Sequence, residues 1–166
     1  MINPYESGLD LDNASVTLTD STVIAETGFT LFTASSLLVQ SSNITIVNAM
    51  DPTVNGMNLS GGSHAEINDS QLTVVGDVPV EVFGILTGDT STVLINRSDI
   101  NVMNIHAPPP VLSNAVGLDT TGSSQIQMNE GSLSVSGNSA SELTTGTNIT
   151  LNGVVCTLNG VTVSCP

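Results

Sequence analysis

Apolar and polar residues alternate along this chain in short runs, and the same arrangement of runs recurs. Each copy opens with a glycine and an apolar residue, and two pairs of alternating apolar residues follow, separated by a small residue. The glycine and the small residue lie 13 or 14 positions apart in five copies. A register held over five segments indicates an internal repeat. The opening glycines are Gly8, Gly28, Gly56, Gly84 and Gly117.

A period of two predicts short β-strands whose alternate side chains point inward. Each repeat is therefore interpreted as three strands, and no repeat can bury its apolar residues unless the repeats stack. The pattern predicts an all-β fold, a right-handed single-stranded parallel β-helix (a solenoid) of about six turns. A β-sandwich would need turn signals about every 8–12 residues and would not explain the common register.

The repeats predict a single domain over residues 1–166. Residues 1–7 are expected to form an N-terminal cap or linker, and 8–135 the regular turns. Residues 136–166 are expected to form a degenerate last turn and a hairpin, with Ala140 in the position of the opening glycine.

One column of the repeat is rich in asparagine. Asn68, Asn96 and Asn129 each stand two positions before the small residue of their repeat. Stacked asparagine side chains donate hydrogen bonds from one turn to the next. These three residues are therefore predicted to form a ladder that satisfies amides otherwise left buried and unpaired.

The next column contains the only strong cation of the chain. Arg97 falls between Asp69 in the preceding repeat and Glu130 in the following one. The register predicts that the guanidinium lies near one of these carboxylates. Because exposed ion pairs contribute little stability, we interpret Arg97 as a device that fixes register, not as a catalytic residue.

Both cysteines, Cys156 and Cys165, lie near the end of the chain with no histidine beside them. Their spacing is not that of a metal site, so a local disulfide is favoured over two free thiols. Between them, Asn159-Gly160 is typical of a two-residue type I′ turn. We expect a hairpin, closed by the disulfide, that leaves the winding and caps the last turn.

Length variation among the repeats is concentrated after the third strand. In a solenoid, insertions at one corner project from one face, which is often the binding face. Two interpretations stay open, a structural flap whose loops pack on one another and a contact surface. The candidate contact residues in these loops are Met50, Val80, Phe83, Ile105, His106 and Pro109.

The repeat motif resembles the passenger domains of bacterial autotransporters of the pertactin-like type. The segments that carry the resemblance are GLDLDNASVTLTDSTV, GILTGDTSTVLINRSDINV and GLDTTGSSQIQMNEGSLSV. The resemblance implies a secreted or surface-displayed bacterial protein, used most often for adhesion and without a cofactor. Residues 1–166 contain no segment expected to form a β-barrel, and cysteines are uncommon in such passengers. A stalk or filament component is therefore a second expectation.

Charge excludes several classes of partner. The formal net charge is −14, with 15 carboxylates against one cation. Such a chain is repelled by phosphate backbones and by anionic membrane surfaces, so nucleic acid is not an expected partner. No apolar run is long enough to span a bilayer, so this segment is not expected to insert into a membrane.

Catalysis has weak support in the sequence. Lyases and hydrolases on pectin-lyase-like β-helices need clustered carboxylates, and here the outward carboxylates do not share a column on adjacent turns. The best candidate pair is His64 with Glu66, which point the same way on one strand. A histidine and a glutamate on a solvated outer face would give the same pattern. We therefore expect no enzyme, no catalytic or metal site and no cofactor.

The sequence as a whole favours a structural or adhesive protein of the extracellular space or bacterial cell surface. Its expected partner is a protein or carbohydrate on a cell surface, or neighbouring copies in an assembly. A carbohydrate-active β-helix enzyme, lyase or hydrolase, is the first alternative. A subunit or spike of an extracellular or phage filament is the second.

Overall fold

The computed structural model describes residues 8–49, 53–77, 81–106, 114–137 and 141–166. Within these segments the chain forms strands and turns and no helix. In chain order the strands are β1 (Asp10–Asp12), β2 (Ser15–Thr19), β3 (Thr22–Ala25), β4 (Phe29–Phe32), β5 (Ser36–Gln40), β6 (Asn43–Asn48), β7 (Thr53–Leu59), β8 (His64–Asn68), β9 (Gln71–Gly76), β10 (Glu81–Thr87), β11 (Thr92–Asn104), β12 (Asn114–Thr120), β13 (Gln125–Ser136), β14 (Ser141–Thr145), β15 (Ile149–Asn152), β16 (Val155–Leu158) and β17 (Val161–Val163).

Strands β1 to β16 pair with the equivalent strands of adjacent repeats, and β17 instead pairs with β16, its neighbour in sequence. The first strands form a six-stranded parallel sheet in the order β1-β4-β7-β10-β12-β14. The second and third strands, together with β17, form an eleven-stranded sheet. Among the described strands of this sheet, only β16 and β17 pair antiparallel. The predicted all-β, parallel architecture is confirmed, and its repeated passage through the same sheets is consistent with a solenoid.

The number of strands per repeat differs from the prediction in two places. In the fourth and fifth repeats the second and third strands are continuous, as β11 and β13. The corner is present but leaves only one residue unpaired, Arg97 in β11 and Glu130 in β13. Both residues have a positive φ, as does Gly131 after Glu130. Because residues on both sides of that corner keep their parallel partners, the strand continues through it.

The register matches the repeat alignment. Leu31 pairs with Leu59, Ile67 with Ile95 and Ile100 with Leu133. The last repeat is the exception at its start. There Leu118 pairs with Thr144, which places Leu143 and not Ala140 opposite Gly117. Ala140 itself lies outside the described residues.

The inward residues form one continuous apolar core, with side chains such as Leu72 and Ile95 fully buried. Glycine opens the repeats because the backbones approach closely there. A Cβ atom on Gly84 would lie 2.4 Å from the carbonyl oxygen of Gly117 and 2.6 Å from Val102. Any larger residue would push adjacent repeats apart.

Two ladders of buried serines line the corners on either side of the second strand. In one, the backbone N–H of Ser42 donates to Ser70 Oγ, and that of Ser70 donates to Ser98 Oγ, both at 3.0 Å. In the other, the N–H of Ser35 donates to Ser63 Oγ at 3.2 Å. Each hydroxyl thus satisfies a buried donor that the turn leaves outside the strand ladders.

Candidate interaction site

Three of the candidate contact residues are described, and they do not all lie in loops. Ile105 follows β11 and is 56% exposed, and His106 comes next and is partly exposed. Phe83 lies inside β10, paired with Asn55 and Val116, so its assignment to a loop was wrong. The cause is that the strand begins before the repeat glycine. Met50, Val80 and Pro109 lie outside the described residues.

Phe83 nevertheless faces outward, into a cleft of about 340 Å³ on the six-stranded sheet. The register of that sheet builds the cleft, because Phe83, Val116 and Glu142 lie side by side on β10, β12 and β14. Its lining residues are Glu81, Phe83, Asn114, Ala115, Val116, Asp119, Glu142 and Thr145.

The lining combines one aromatic ring with three carboxylates. The Asp119 carboxylate accepts a hydrogen bond from the Thr145 hydroxyl at 2.6 Å. Glu81 is half-buried and Glu142 is exposed. Carboxylates accept hydrogen bonds from hydroxyl or ammonium groups, and an aromatic face attracts C–H groups and cations. In the described segments no group of three acidic, histidine or cysteine side chains is close enough to hold a metal ion.

The corner beside the cleft is tied to the preceding repeat. His106 Nδ1 lies 2.9 Å from Asp77 Oδ1, and the His106 N–H donates to Asn104 Oδ1 at 3.2 Å. The Asn104 amide in turn donates to the carbonyl of Asn114, at the edge of the cleft, at 3.2 Å. These bonds hold the corner in place, as the structural-flap interpretation expects, and the contact-surface interpretation stays a prediction.

Arg97 lies where the register places it. Its Nε and Nη2 donate to the two carboxylate oxygens of Asp69, each at 2.7 Å. The predicted proximity is confirmed for Asp69, while Glu130 accepts no hydrogen bond from the guanidinium among the contacts described. The hydrogen bonds from Arg97 hold the pKa of the Asp69 carboxyl below its usual range. The same bonds raise the pKa of the Arg97 guanidinium.

The asparagine ladder is confirmed. The Asn96 amide donates to Asn68 Oδ1 at 2.8 Å, and the Asn129 amide donates to Asn96 Oδ1 at 2.9 Å. Asn152 extends the ladder to the last repeat, donating to Asn129 at 2.9 Å. The expected burial was wrong, because Asn68, Asn96 and Asn129 point outward and are half-buried.

His64 and Glu66 point to the same side of β8 but have different partners. His64 Nδ1 lies 2.8 Å from Thr92 Oγ1, one repeat along. Glu66 accepts the amide of Asn68, the first member of the asparagine ladder, at 2.8 Å. Both side chains thus serve contacts along the sheet, with no acid–base pair between them in the described contacts.

Cys156 and Cys165 form a disulfide with a Cα–Cα distance of 5.4 Å, as predicted. The hairpin register is also confirmed, with Leu158 opposite Val161 and Cys156 opposite Val163. Asn159 and Gly160 have φ angles of 50° and 78°, as a type I′ turn requires. The cap is partial, since β17 extends the edge of the larger sheet beyond β16 and does not cross the whole end.

Sequence reasoning missed the serine ladders and the acidic side of the cleft. The serine signal was present, since Ser35, Ser63 and Ser91 recur at the repeat spacing. The carboxylates of the cleft belong to different repeats of unequal length, and only the strand register brings them together.

No helix in the described segments has the length and apolarity to cross a membrane. Comparisons with protein-family models, curated proteins and solved structures found no match to this chain.

Proposed function

We propose that this chain is an adhesive β-helix displayed on a bacterial surface or secreted, and that it is not an enzyme. The observation that carries the proposal is the cleft around Phe83, where an aromatic ring lies among Glu81, Asp119 and Glu142. This lining suits a neutral sugar or a cationic group on a cell-surface protein or carbohydrate. The closed Cys156–Cys165 disulfide supports an oxidising compartment outside the cytoplasm.

We further propose that the strands wind as a right-handed helix, as in the passenger domains that the repeat resembles. The parallel pairing of equivalent strands across six repeats supports this winding. Right-handed crossover is also the general rule for parallel strands in one sheet. An experimentally solved structure tests the proposal directly, and a left-handed winding would refute it.

The adhesive function is tested with fluorescently labelled protein on an immobilised glycan panel, on extracellular-matrix proteins and on cultured epithelial cells. The cleft variant is Phe83→Ala combined with Glu142→Gln. The matched control is Ile24→Ala, which alters an apolar residue 62% exposed on the other sheet. We expect the wild type to bind saturably and the control variant to bind with the same affinity. The affinity of the cleft variant should be lower by a factor of about ten, which corresponds to about 1.4 kcal/mol.

Two results would contradict the proposal. One is an absence of saturable binding to all three surfaces by the folded protein. The other is equal binding by the cleft variant and the wild type, which would place any adhesive site elsewhere. Far-UV circular dichroism of each variant ensures that lost binding does not reflect lost folding.

A hydrolase or lyase has less support than adhesion. The strong cation that a lyase base would require is Arg97, which is committed to both oxygens of Asp69. His64 and Glu66 are each occupied by contacts along β8 and its neighbours. A polysaccharide incubated with the protein and assayed for new reducing ends or unsaturated products tests this alternative.

A further inference from the structure

At the C-terminal end of the molecule, two strands of the last repeat are paired on one side and the third is paired on both sides. Among the described residues, β14 pairs only with β12, and β15 pairs only with β13. Within the described part of the chain, their outer backbone N–H and C=O groups therefore have no strand partner. The third strand of the same repeat differs, because β16 has β13 on one side and β17 on the other.

At the other end, β1, β2 and β3 likewise pair on one side only within the described segments. Equivalent strands of successive repeats run parallel to each other in the described segments. A second copy placed head to tail would therefore continue the parallel sheets, with its β1 beside β14 and its β2 beside β15. Unpaired strand edges of this kind are templates for such pairing.

The hairpin obstructs that arrangement at one position. The strand β17 lies beside β16, in the place that β3 of a second copy would take. It also runs antiparallel to β16, so it presents the wrong strand direction for continued parallel winding. The three strands of one turn pair together with the three strands of the adjacent turn. A block at one of these strands therefore also hinders the pairing of the other two.

Several contacts hold this hairpin closed. The disulfide joins Cys156, which is 1% exposed, to Cys165, which packs against the core together with Val163. At the turn, the Asn159 N–H donates to the carbonyl of Val135 at 2.9 Å. The Asn159 side chain accepts the N–H of Gly137 at 3.1 Å. A strand of three residues would be marginal without such fixation.

We propose that the disulfide-closed hairpin is a stop that prevents a second copy of this chain from adding head to tail at the C-terminal edge. Opening the hairpin frees the outer edge of β16, and the three strand edges of the last repeat then accept the first strands of another copy. Because a head-to-tail contact does not close on itself, the product is a linear series of oligomers.

The test uses the full chain in a loosened form, Cys156→Ala with Cys165→Ala and Val163→Pro. The two alanine substitutions remove the disulfide and leave no thiol that could cross-link two copies. Proline at position 163 removes one backbone N–H of β17. The matched control is Ile100→Ala, which creates a cavity in the mid-core and leaves the hairpin intact. Sedimentation velocity is measured in 0.15 M salt or above, since the net charge of −14 opposes association and is screened there.

We expect the wild type and Ile100→Ala to sediment as monomers and the loosened form as a concentration-dependent series beginning with the dimer. Hydrogen exchange should show amides of β14 and β15 protected in the oligomer relative to the monomer. A loosened form that stays monomeric although its β17 amides exchange freely would overturn the proposal. Equal association by Ile100→Ala would also overturn it, because association would then follow from lost stability and not from the open edge.

Discussion

At the scale of single residues, stability depends on which side of a strand a side chain faces. Ile67, Ile95 and Leu72 are at most 1% exposed and have core neighbours in the repeats on both sides. Each replacement by alanine should lower the free energy of unfolding by about 2–5 kcal/mol, because little of the cavity can collapse. Chemical denaturation monitored by circular dichroism measures this.

The outward positions Thr17 and Thr73 are the controls for that series. Thr17 is exposed in β2, and Thr73 is half-buried in β9. Neither side chain makes a hydrogen bond in the contacts described. Alanine there should change stability by no more than about 0.5 kcal/mol. Equal costs at inward and outward positions would show that the alternation has been assigned to the wrong faces.

The ion pair of Asp69 and Arg97 gives a pH-dependent prediction. Since the pKa of Asp69 is lowered in the folded protein, its contribution is fully present above the usual pKa of 3.8 and is lost as pH falls through the lowered value. In Arg97→Gln the pKa of Asp69 should return toward 3.8, and this acid-sensitive contribution should disappear. Carboxyl-resonance NMR titration measures the pKa.

Glu130→Gln is the control for the titration, because Asp69 bonds to Arg97 and not to Glu130. It should leave the lowered pKa of Asp69 in place. If Asp69 titrates at the same pH in wild type and Arg97→Gln, the bidentate pair is not formed in solution.

At the scale of the structural element, the corners store strain that the sequence pattern does not reveal. Thr33, at the corner after β4, has a φ of 52°, which a β-branched residue rarely adopts. The equivalent residue of the next repeat is Gly61, with a φ of 64°. Thr33→Gly should therefore raise the free energy of unfolding by about 1 kcal/mol.

Thr45→Gly is the matched control, because it makes the same change within a strand, in β6. There glycine should destabilise by about 0.5–1 kcal/mol, since its added backbone freedom is lost on folding without any relief of strain. Thermal unfolding of the two variants should therefore move in opposite directions. A loss of stability in both would mean that Thr33 is not strained at its corner.

At this scale, the periodicity of the sequence allowed the strand pairing to be predicted and left the corner conformations and the cleft unpredicted. Alternation and repeat spacing predicted the parallel partners of Ile44, Leu72 and Ile100 because each faces the same core column. Corner conformations were not predicted, since Asp20, Ser41 and Arg97 share a positive φ without sharing a residue type. The cleft was not predicted because Phe83 and Glu142 meet only through the register of repeats that differ in length.

At the scale of the whole molecule, stability should vary along the stack. A repeat in a solenoid contacts only its neighbours, so its local stability depends on how many of its strands are paired on both sides. β8 has β5 and β11 as partners, whereas β2 has β5 alone within the described residues. The end repeats should therefore open more easily than the central ones.

Native-state hydrogen exchange tests this directly. Amides of β8 and β9 should exchange only through openings close in free energy to global unfolding, and those of β2 and β15 through smaller ones. Reduction of the disulfide should accelerate exchange in β16 and β17 and leave β8 unchanged, because β13 and β11 lie between β16 and β8 in the sheet. A single opening free energy shared by all strands would contradict a molecule built from nearest-neighbour contacts and would mean that the stack unfolds as one cooperative unit.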